Sequence, residues 1–213
     1  MENFLVDYKK LWNNGMGLHE TQFDDLINIL SQNEIKQVVE FGSGGSTDFL
    51  CSYRDFSGLD YSIVSYDHSP FYSYQGKHDF LDLRVKDLVK CSDEDFELCF
   101  QNKNVDKQKF KNCQDEKDNF RVRNSFYDIT VEELPNSIDL VILDGPNGNG
   151  RSLAFPFIFN NISENCWVLI DDSDHYDFIE RCQSVFNTTV IKKIKKPEVH
   201  PLFSYCLIKI SRK

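Results

Sequence analysis

Glycines and small hydroxyl residues follow a short aliphatic run near position 40 and form the segment EFGSGGST at positions 40–47. Glycine lets a chain turn sharply and lets a ligand approach the backbone, and a helix that starts after such a turn offers unpaired N–H groups. The residues predicted to contact a small ligand here are Glu40, Gly42, Ser43, Gly44, Gly45, Ser46 and Thr47. A plain glycine turn, with Ser46 or Thr47 as the helix N-cap, is the alternative interpretation.

An acidic residue follows the next predicted strand, since Asp67 lies 22 residues beyond Gly45. A carboxylate about 20 residues after a glycine-rich loop is placed to accept hydrogen bonds from the two hydroxyls of a ribose. The combination of loop and acid is more specific than either alone, and we include His68, beside the acid, in the predicted binding residues. Taken singly, Asp67 is also explained as the first residue of a turn that continues into Ser69 and Pro70.

Three further carboxylates follow two later aliphatic runs. Asp144 ends the run at 138–143, and Asp171 and Asp172 end the run at 166–170. Because the carboxyl ends of parallel strands meet at one edge of a sheet, these side chains are expected to converge. Three oxygen ligands suit Mg²⁺ or Ca²⁺, so the trio is a predicted metal site. Helix N-capping by the same residues is the competing explanation.

Two more side chains near these acids have chemical potential. His175 is a candidate general base for an acceptor hydroxyl, and Asp144 is the other predicted catalytic residue. Arg151, which follows a loop rich in glycine and asparagine, is a candidate for holding an anionic group. A surface histidine and a solvated loop arginine are the alternatives for His175 and Arg151.

The elements that position these residues are read from alternating strand and helix patterns. The helices are expected near 18–30, after the glycine loop, near 152–162 and near 174–186. The strands are expected at 37–41, 61–66, 81–85, 138–143, 166–170, 188–191 and 204–210. The last two strands lack a helix-length segment between them and are expected to pair antiparallel. The predicted fold class is α/β, a Rossmann-like doubly wound, mostly parallel sheet of about seven strands with an antiparallel C-terminal pair.

The chain is interpreted as one domain over residues 1–213, with an N-terminal helical segment at 1–35. Residues 91–124 are rich in charged and amide side chains and poor in aliphatics. We predict that they form a polar insertion outside the core, one able to select a substrate if it closes over the site.

Composition narrows the classes of partner. The 213 residues carry a formal charge of −10, which disfavours binding to a nucleic-acid phosphate backbone. No apolar stretch approaches the roughly 20 residues of a membrane span, and the N-terminus lacks a secretory signal pattern, so we expect a cytoplasmic protein without membrane contact. The seven cysteines show no C-x-x-C spacing and are predicted to be reduced thiols.

Two further groups of residues each have two interpretations. The basic run at 192–196 resembles a phosphate patch but is better explained as protection of an edge strand. The aromatic residues Phe71, Tyr72 and Tyr74 either wall a ligand site or pack in the core.

The loop at 40–47, Asp67, the segment at 139–145 and the strand with acids at 167–172 together resemble the class I S-adenosylmethionine-dependent methyltransferase family. The resemblance covers most of the chain apart from 91–124. It implies that the glycine loop, with Gly145 and Asp144, binds S-adenosylmethionine, that Glu40 supports the loop or the cofactor amine, and that Asp67 holds the ribose. The trio of acids is similar to that of metal-dependent O-methyltransferases, some of which act on sugars.

The expected activity is methyl transfer to an oxygen of a small molecule or carbohydrate. An aminopropyltransferase similar to spermidine synthases is the enzymatic alternative, although the usual N-terminal β-domain of that family has no counterpart here. A binding or assembly subunit with idle catalytic groups is the non-enzymatic alternative.

Overall fold

The structure is a computed structural model that describes Phe4, Leu18 and residues 20–113, 122–195 and 204–213. The helices are α1 (Glu20–Gln32), α2 (Gly45–Ser57), α3 (Asp93–Asn102), α4 (Ala154–Ile158) and α5 (Phe178–Val185). The strands are β1 (Gln37–Phe41), β2 (Ser62–Asp67), β3 (Leu81–Val85), β4 (Leu88–Lys90), β5 (Lys111–Asn112), β6 (Ser125–Tyr127), β7 (Ile138–Leu143), β8 (Ile162–Asp171), β9 (Phe186–Lys195) and β10 (Ser204–Arg212). Short 3₁₀ turns lie at Lys107–Lys109, Val131–Glu133 and Asn149–Leu153.

Seven of these strands form one sheet in the order β3-β2-β1-β7-β8-β10-β9. The first five are parallel, and β10 runs antiparallel to both β8 and β9. The chain order reverses between β1 and β7, which is where open α/β sheets bind ligands beyond the carboxyl ends of the strands. The predicted α/β fold, its seven strands and its antiparallel C-terminal pair are confirmed.

The central strands are buried because helices cover both faces of the sheet. Val38 and Val39 of β1 and most of β7 are inaccessible to solvent, as expected for a continuous aliphatic strand in a parallel sheet. One core cluster includes side chains of α1 and α2, and the other includes those of α3, α4 and α5. The central aliphatic runs therefore become strands that bury both of their faces.

Two predicted helices are shorter than their sequence patterns indicated. The helix expected at 152–162 starts as the 3₁₀ turn Asn149–Leu153 and ends at Ile158, while Ile162 opens β8. The helix expected at 174–186 begins only at Phe178, since Asp172 has a φ of +51° and residues 172–177 form turns. Local turns therefore replaced the first turns of both helices.

The prediction that residues 91–124 lie outside the core is wrong for the described residues of that segment. Strands β5, β4 and β6 form a small antiparallel sheet, and α3 packs Phe96 and Phe100 into the main core cluster. Cys91, Cys99 and Cys113 are buried in the same cluster. The segment has few aliphatic residues, and aromatic rings and thiols supply most of its apolar surface. Residues 114–121 lie outside the described residues.

The seven cysteines are all buried free thiols, which confirms the prediction of reduced thiols. Burial raises the pKa of the Cys91 thiol to about 12 and that of the Cys99 thiol to about 11. Such thiols stay protonated near neutral pH and are poor nucleophiles. Of the helices described, none is both long and apolar enough to traverse a lipid bilayer.

The basic run at the end of β9 is tied to neighbouring carboxylates. Lys192 donates to both oxygens of Asp25, at 2.8 and 2.9 Å, and Lys195 lies 2.5 Å from Asp174. These lysines lie on the edge strand of the sheet, where charge discourages pairing with a second chain. The interpretation as edge protection fits this arrangement better than a phosphate patch does.

Candidate functional site

The glycine loop joins β1 to α2 and lies against the end of β7. Gly42 has a φ of +99°, and a Cβ there would lie 2.6 Å from the backbone nitrogen of Gly145. The backbone nitrogens of Asp144 and Gly145 both donate to the carbonyl of Phe41, at 2.9 and 2.6 Å. Position 42 therefore requires glycine for two reasons: its backbone has a positive φ, and the backbone of Gly145 approaches it too closely for a Cβ.

Glu40 is completely buried beneath this loop. Its Oε2 atom accepts hydrogen bonds from the hydroxyls of Thr47 and Ser65, both at 2.5 Å. Within the described residues, its Oε1 atom is buried without a hydrogen-bond partner. Burial raises the pKa of this carboxyl to about 7 against the opposing effect of its hydroxyl donors. A buried carboxylate oxygen that lacks a partner is an acceptor that a ligand can satisfy.

Asp67 holds the glycine loop to the end of β2. Its Oδ2 atom accepts from the backbone nitrogen of Ser43 at 3.0 Å, and its Oδ1 atom accepts from that of Ser69 at 2.8 Å. His68 lies beside it, with Nδ1 3.7 Å from Oδ1. The structure thus brings Glu40, the loop and Asp67 together, and it gives Asp67 a loop-positioning contact that sequence spacing did not predict. Its contact with a ribose stays a prediction.

The aromatic residues after β2 divide between the two interpretations, since Tyr74 packs against the core cluster of α1 and α2 whereas Phe71 and Tyr72 do not. Phe71 is 90% exposed and Tyr72 is 64% exposed. The backbone nitrogen of Tyr74 donates to the Ser43 hydroxyl at 3.1 Å, which fixes this segment against the glycine loop. Core packing is therefore the wrong interpretation for Phe71 and Tyr72.

Asp144, Asp171 and Arg151 meet at the ends of β7 and β8. The carboxyls of Asp144 and Asp171 lie close enough to act on each other, and burial, followed by repulsion from Asp144, raises the pKa of Asp171 well above its usual range. The buried Arg151 donates to the carbonyls of Asp171 at 2.9 Å and Pro146 at 3.2 Å, and its charge favours the ionised form of both acids. Arg151 is neither a solvated loop residue nor turned outward, so its predicted contact with an anionic group is not supported by this geometry.

The predicted metal site of Asp144, Asp171 and Asp172 is not assembled. Among the described residues, no group of three or more His, Cys, Asp or Glu side chains is placed to hold a metal ion. Asp171 is engaged by Asp144 and by a hydrogen bond from Gln22, while Asp172 lies in a left-handed turn with Oδ2 3.7 Å from His175. Side chains of the protein thus occupy the carboxylates that a cation would need.

His175 lies in the turn after β8, beside Asp172. Its backbone nitrogen donates to the Asp172 carbonyl at 3.0 Å, and its Nδ1 atom faces the Asp172 carboxylate. The imidazole is partly exposed and lines a cavity. Asp172 in turn lies close enough to Asp144 to raise the pKa of that carboxyl. The turn therefore connects the predicted base to the acids at the strand ends.

Two residues of the site had no sequence signal. Gln22 on α1 is completely buried and donates to Asp171 Oδ1 at 2.7 Å across 149 residues of sequence. Tyr127 on β6 is buried against the same strand ends, and a Cβ at Gly145 would lie 2.5 Å from its hydroxyl. Gln22 lies in the predicted N-terminal helical segment, and Tyr127 lies between the polar segment 91–124 and the next predicted strand. Single polar residues in such places form no motif.

Replacing Gln22 by leucine should destabilise the fold by roughly 1–3 kcal/mol, because Asp171 then keeps a buried acceptor without its donor. Asn28 lies on the exposed side of the same helix, so Asn28→Leu is the matched control and should change stability by less than about 0.5 kcal/mol. Urea unfolding of both variants measures the difference. Equal midpoints would contradict a stabilising role for the Gln22–Asp171 contact.

Solved structures share this fold at low sequence identity. No protein-family model matches the sequence, and no curated protein matches it either. A Thermotoga maritima SAM-dependent O-methyltransferase is similar over 98% of this chain and 71% of its own, with a TM-score of 0.55 and 10% identity. An O-methyltransferase from Bacillus cereus in complex with SAH is similar over 100% of this chain and 90% of its own, with a TM-score of 0.52 and 12% identity. A Thermoplasma acidophilum protein is similar over 99% and 96%, with a TM-score of 0.54 and 14% identity. The chain therefore has the Rossmann-like fold of the class I S-adenosylmethionine-dependent methyltransferases.

Proposed function

We propose that this protein transfers a methyl group from S-adenosylmethionine to a hydroxyl of a small molecule. The observation that carries the proposal is the set of Glu40, the glycine loop and Asp67, which meet at the point where strand order reverses. The similar fold of a SAM-dependent O-methyltransferase and of an O-methyltransferase in complex with SAH supports the same conclusion.

The residues of this set fit the cofactor in charge and in shape. Glu40 offers a buried oxygen that no described residue bonds, which suits the ammonium of the methionine portion. Among the described residues, a Cβ at Gly44 would meet only the Tyr72 carbonyl, at 4.0 Å, so the loop leaves room beside its backbone. When bound, S-adenosylmethionine supplies an activated methyl group on a sulfonium centre.

On the acceptor side, His175 is the proposed proton acceptor for the hydroxyl. The adjacent Asp172 carboxylate stabilises the imidazolium that forms when the proton arrives. The backbone of Asp144 lies against Gly42, which places this residue beside the glycine loop. We assign it an electrostatic role beside the sulfonium, and orientation of the two reactants supplies most of the acceleration.

Cofactor affinity should rise with pH if Glu40 receives the cofactor ammonium. The raised pKa of about 7 means that the carboxyl is largely neutral near pH 6 and ionised above pH 7. An ammonium binds the ionised form, so the affinity for S-adenosylmethionine should increase about eightfold from about pH 6 to about pH 7.5. Calorimetric titrations with S-adenosylmethionine and S-adenosylhomocysteine measure this change.

Glu40→Gln is the control for this titration. It should bind the cofactor more weakly at high pH, and its affinity should be nearly constant over the same range. A pH dependence equal in both proteins would assign the effect to another group. No heat with either ligand would refute the proposed function, and tight binding of decarboxylated S-adenosylmethionine alone would favour an aminopropyltransferase.

A further inference from the structure

A cavity of about 450 Å³ lies between α3, the 3₁₀ turn Asn149–Leu153 and α5. We propose that this cavity binds the methyl acceptor and that the acceptor is an uncharged, polyhydroxylated molecule of sugar type. The inference rests on the proposed function, and it goes further by naming the class of substrate. The volume lies within the range of roughly 300–1,000 Å³ that is typical of small-molecule sites.

The position of the cavity connects it to the proposed chemistry. His175, the proposed proton acceptor, forms part of its wall. Phe178 lines it as well, and the Arg151 guanidinium lies 5.5 Å from the centre of that ring on the side of the strand-end acids. A hydroxyl bound in the cavity therefore has the base within the same enclosure.

The charges around the cavity disfavour an anionic ligand. Arg181 makes a bidentate pair with Glu97, with both N···O distances at 2.6 Å, and Arg123 lies 2.9 Å from Asp93. Asp177 lies in the lining itself, whereas Asp93 and Glu97 lie behind the two arginines. A phosphate or carboxylate would therefore have to displace Glu97 from Arg181 and would approach three carboxylates.

A cationic ligand is disfavoured for the complementary reason. Asp93 and Glu97 are engaged by arginines, and Asp177 acts on the neighbouring Arg181. The remaining binding capacity is hydrogen bonding, from guanidinium N–H groups, a carboxylate and the amide of Asn149. The wall offers many donors and acceptors, and its three nearby carboxylates outnumber its two guanidiniums by one, so it matches an array of neutral hydroxyls better than it matches an anion.

Aromatic side chains supply apolar faces within this polar wall. Phe96 and Phe178 are buried, whereas Tyr176 is 44% exposed. An aromatic ring with a solvent-exposed edge and an apolar face suits packing against the C–H groups on one face of a sugar ring. The described part of 91–124 contributes Phe96 and Arg123, so this segment helps to select the acceptor as a fixed wall.

The test is a titration of isotope-labelled protein, followed by amide chemical shifts, with matched neutral and charged probes. The neutral probes are free hexoses, N-acetylhexosamines and inositol, the anionic probes are their monophosphates, and putrescine is the cationic probe. Neutral probes should shift the amides of residues 148–152 and 175–178, and each monophosphate should bind at least tenfold more weakly than its parent. Each titration is run with and without S-adenosylhomocysteine.

Glu97→Gln sharpens the test because it releases Arg181 from its partner. This variant should bind the monophosphates at least threefold more tightly than the wild type does. Glu180→Gln is the matched control. It removes one exposed charge from α5, the helix of Arg181, at a position outside the cavity lining, and it should leave the preference for neutral over phosphorylated probes unchanged.

Three results would overturn the inference: stronger binding of monophosphates to the wild type, binding of putrescine instead of sugars, or no shift of these amides with any probe. Calorimetry with S-adenosylmethionine separates the two proposals. Cofactor binding without probe binding rejects the sugar-type acceptor alone, whereas probe binding without cofactor binding rejects the proposed function.

Discussion

Gly42→Ala should destabilise the protein by about 4 kcal/mol and abolish measurable cofactor binding. A left-handed backbone costs a residue with a Cβ about 1–2 kcal/mol. The new methyl group would also stand 2.6 Å from the Gly145 nitrogen and 3.0 Å from the Asp144 carbonyl carbon. Both obstacles are backbone atoms, so relief requires the end of β1 to move away from the end of β7.

Gly58→Ala is the matched control because it isolates the cost of the backbone conformation. Gly58 has a φ of +69° at the C-cap of α2, and a Cβ there would meet no atom of the described part of the chain within 4 Å. The free energy of unfolding of this control should fall by only about 1 kcal/mol, and the variant should bind the cofactor as the wild type does. Urea unfolding and calorimetry measure both variants. A similar loss of stability in Gly42→Ala and Gly58→Ala would show that the close approach of Gly42 and Gly145 does not contribute to the cost of the Gly42 substitution.

His175→Asn should lower turnover about 100-fold while cofactor affinity stays within about threefold of the wild type. Removing a general base typically costs a factor of roughly 10² to 10⁴. Asparagine keeps a polar side chain of similar reach but cannot take up a proton. The rate of S-adenosylhomocysteine release, measured with an acceptor that supports turnover in the wild type, reports the effect, and the pH dependence of kcat/KM should flatten.

His78→Asn is the control for this variant. His78 also faces a carboxylate, with Nδ1 3.5 Å from Asp55, but it lies before β3, away from the ends of β7 and β8. Its replacement should leave kcat within about twofold of the wild type. If Asp144→Asn reduces turnover 100-fold while His175→Asn does not, Asp144 is the base and the proposed roles must be exchanged.

Part of the fold was predictable because its signals are local. A continuous aliphatic run such as 138–143 has one stable environment in a protein this size, a strand buried on both faces. Glycines after β1 mark a turn with positive φ, and Asp67 falls at the end of the following strand. Because β1 and β2 pair in parallel, their carboxyl ends lie at the same edge of the sheet. The sequence therefore predicted that Glu40, the glycine loop and Asp67 lie together at that edge. Their contacts with a cofactor stay predictions.

Residues 91–124 show where local signals mislead. The segment was predicted to lie outside the core because it has few aliphatic residues, yet Phe96, Phe100 and Cys99 bury it in the main cluster. These side chains are buried because they share one face of α3. The polar residues of the other face dominate the average composition of the segment, so the composition hides the buried face.

Sequence by itself determined the α/β architecture and the placement of the loop, Glu40 and Asp67 at consecutive strand ends, since these depend on short-range periodicity and strand direction. Only the tertiary structure decided that Gln22 reaches Asp171, that Arg151 is buried beside the acids, and that the predicted metal ligands are taken up by protein partners. It also formed the polar cavity beside His175. These contacts join single polar residues that are far apart in the chain, and such pairs are fixed by packing rather than by any repeating pattern in the sequence.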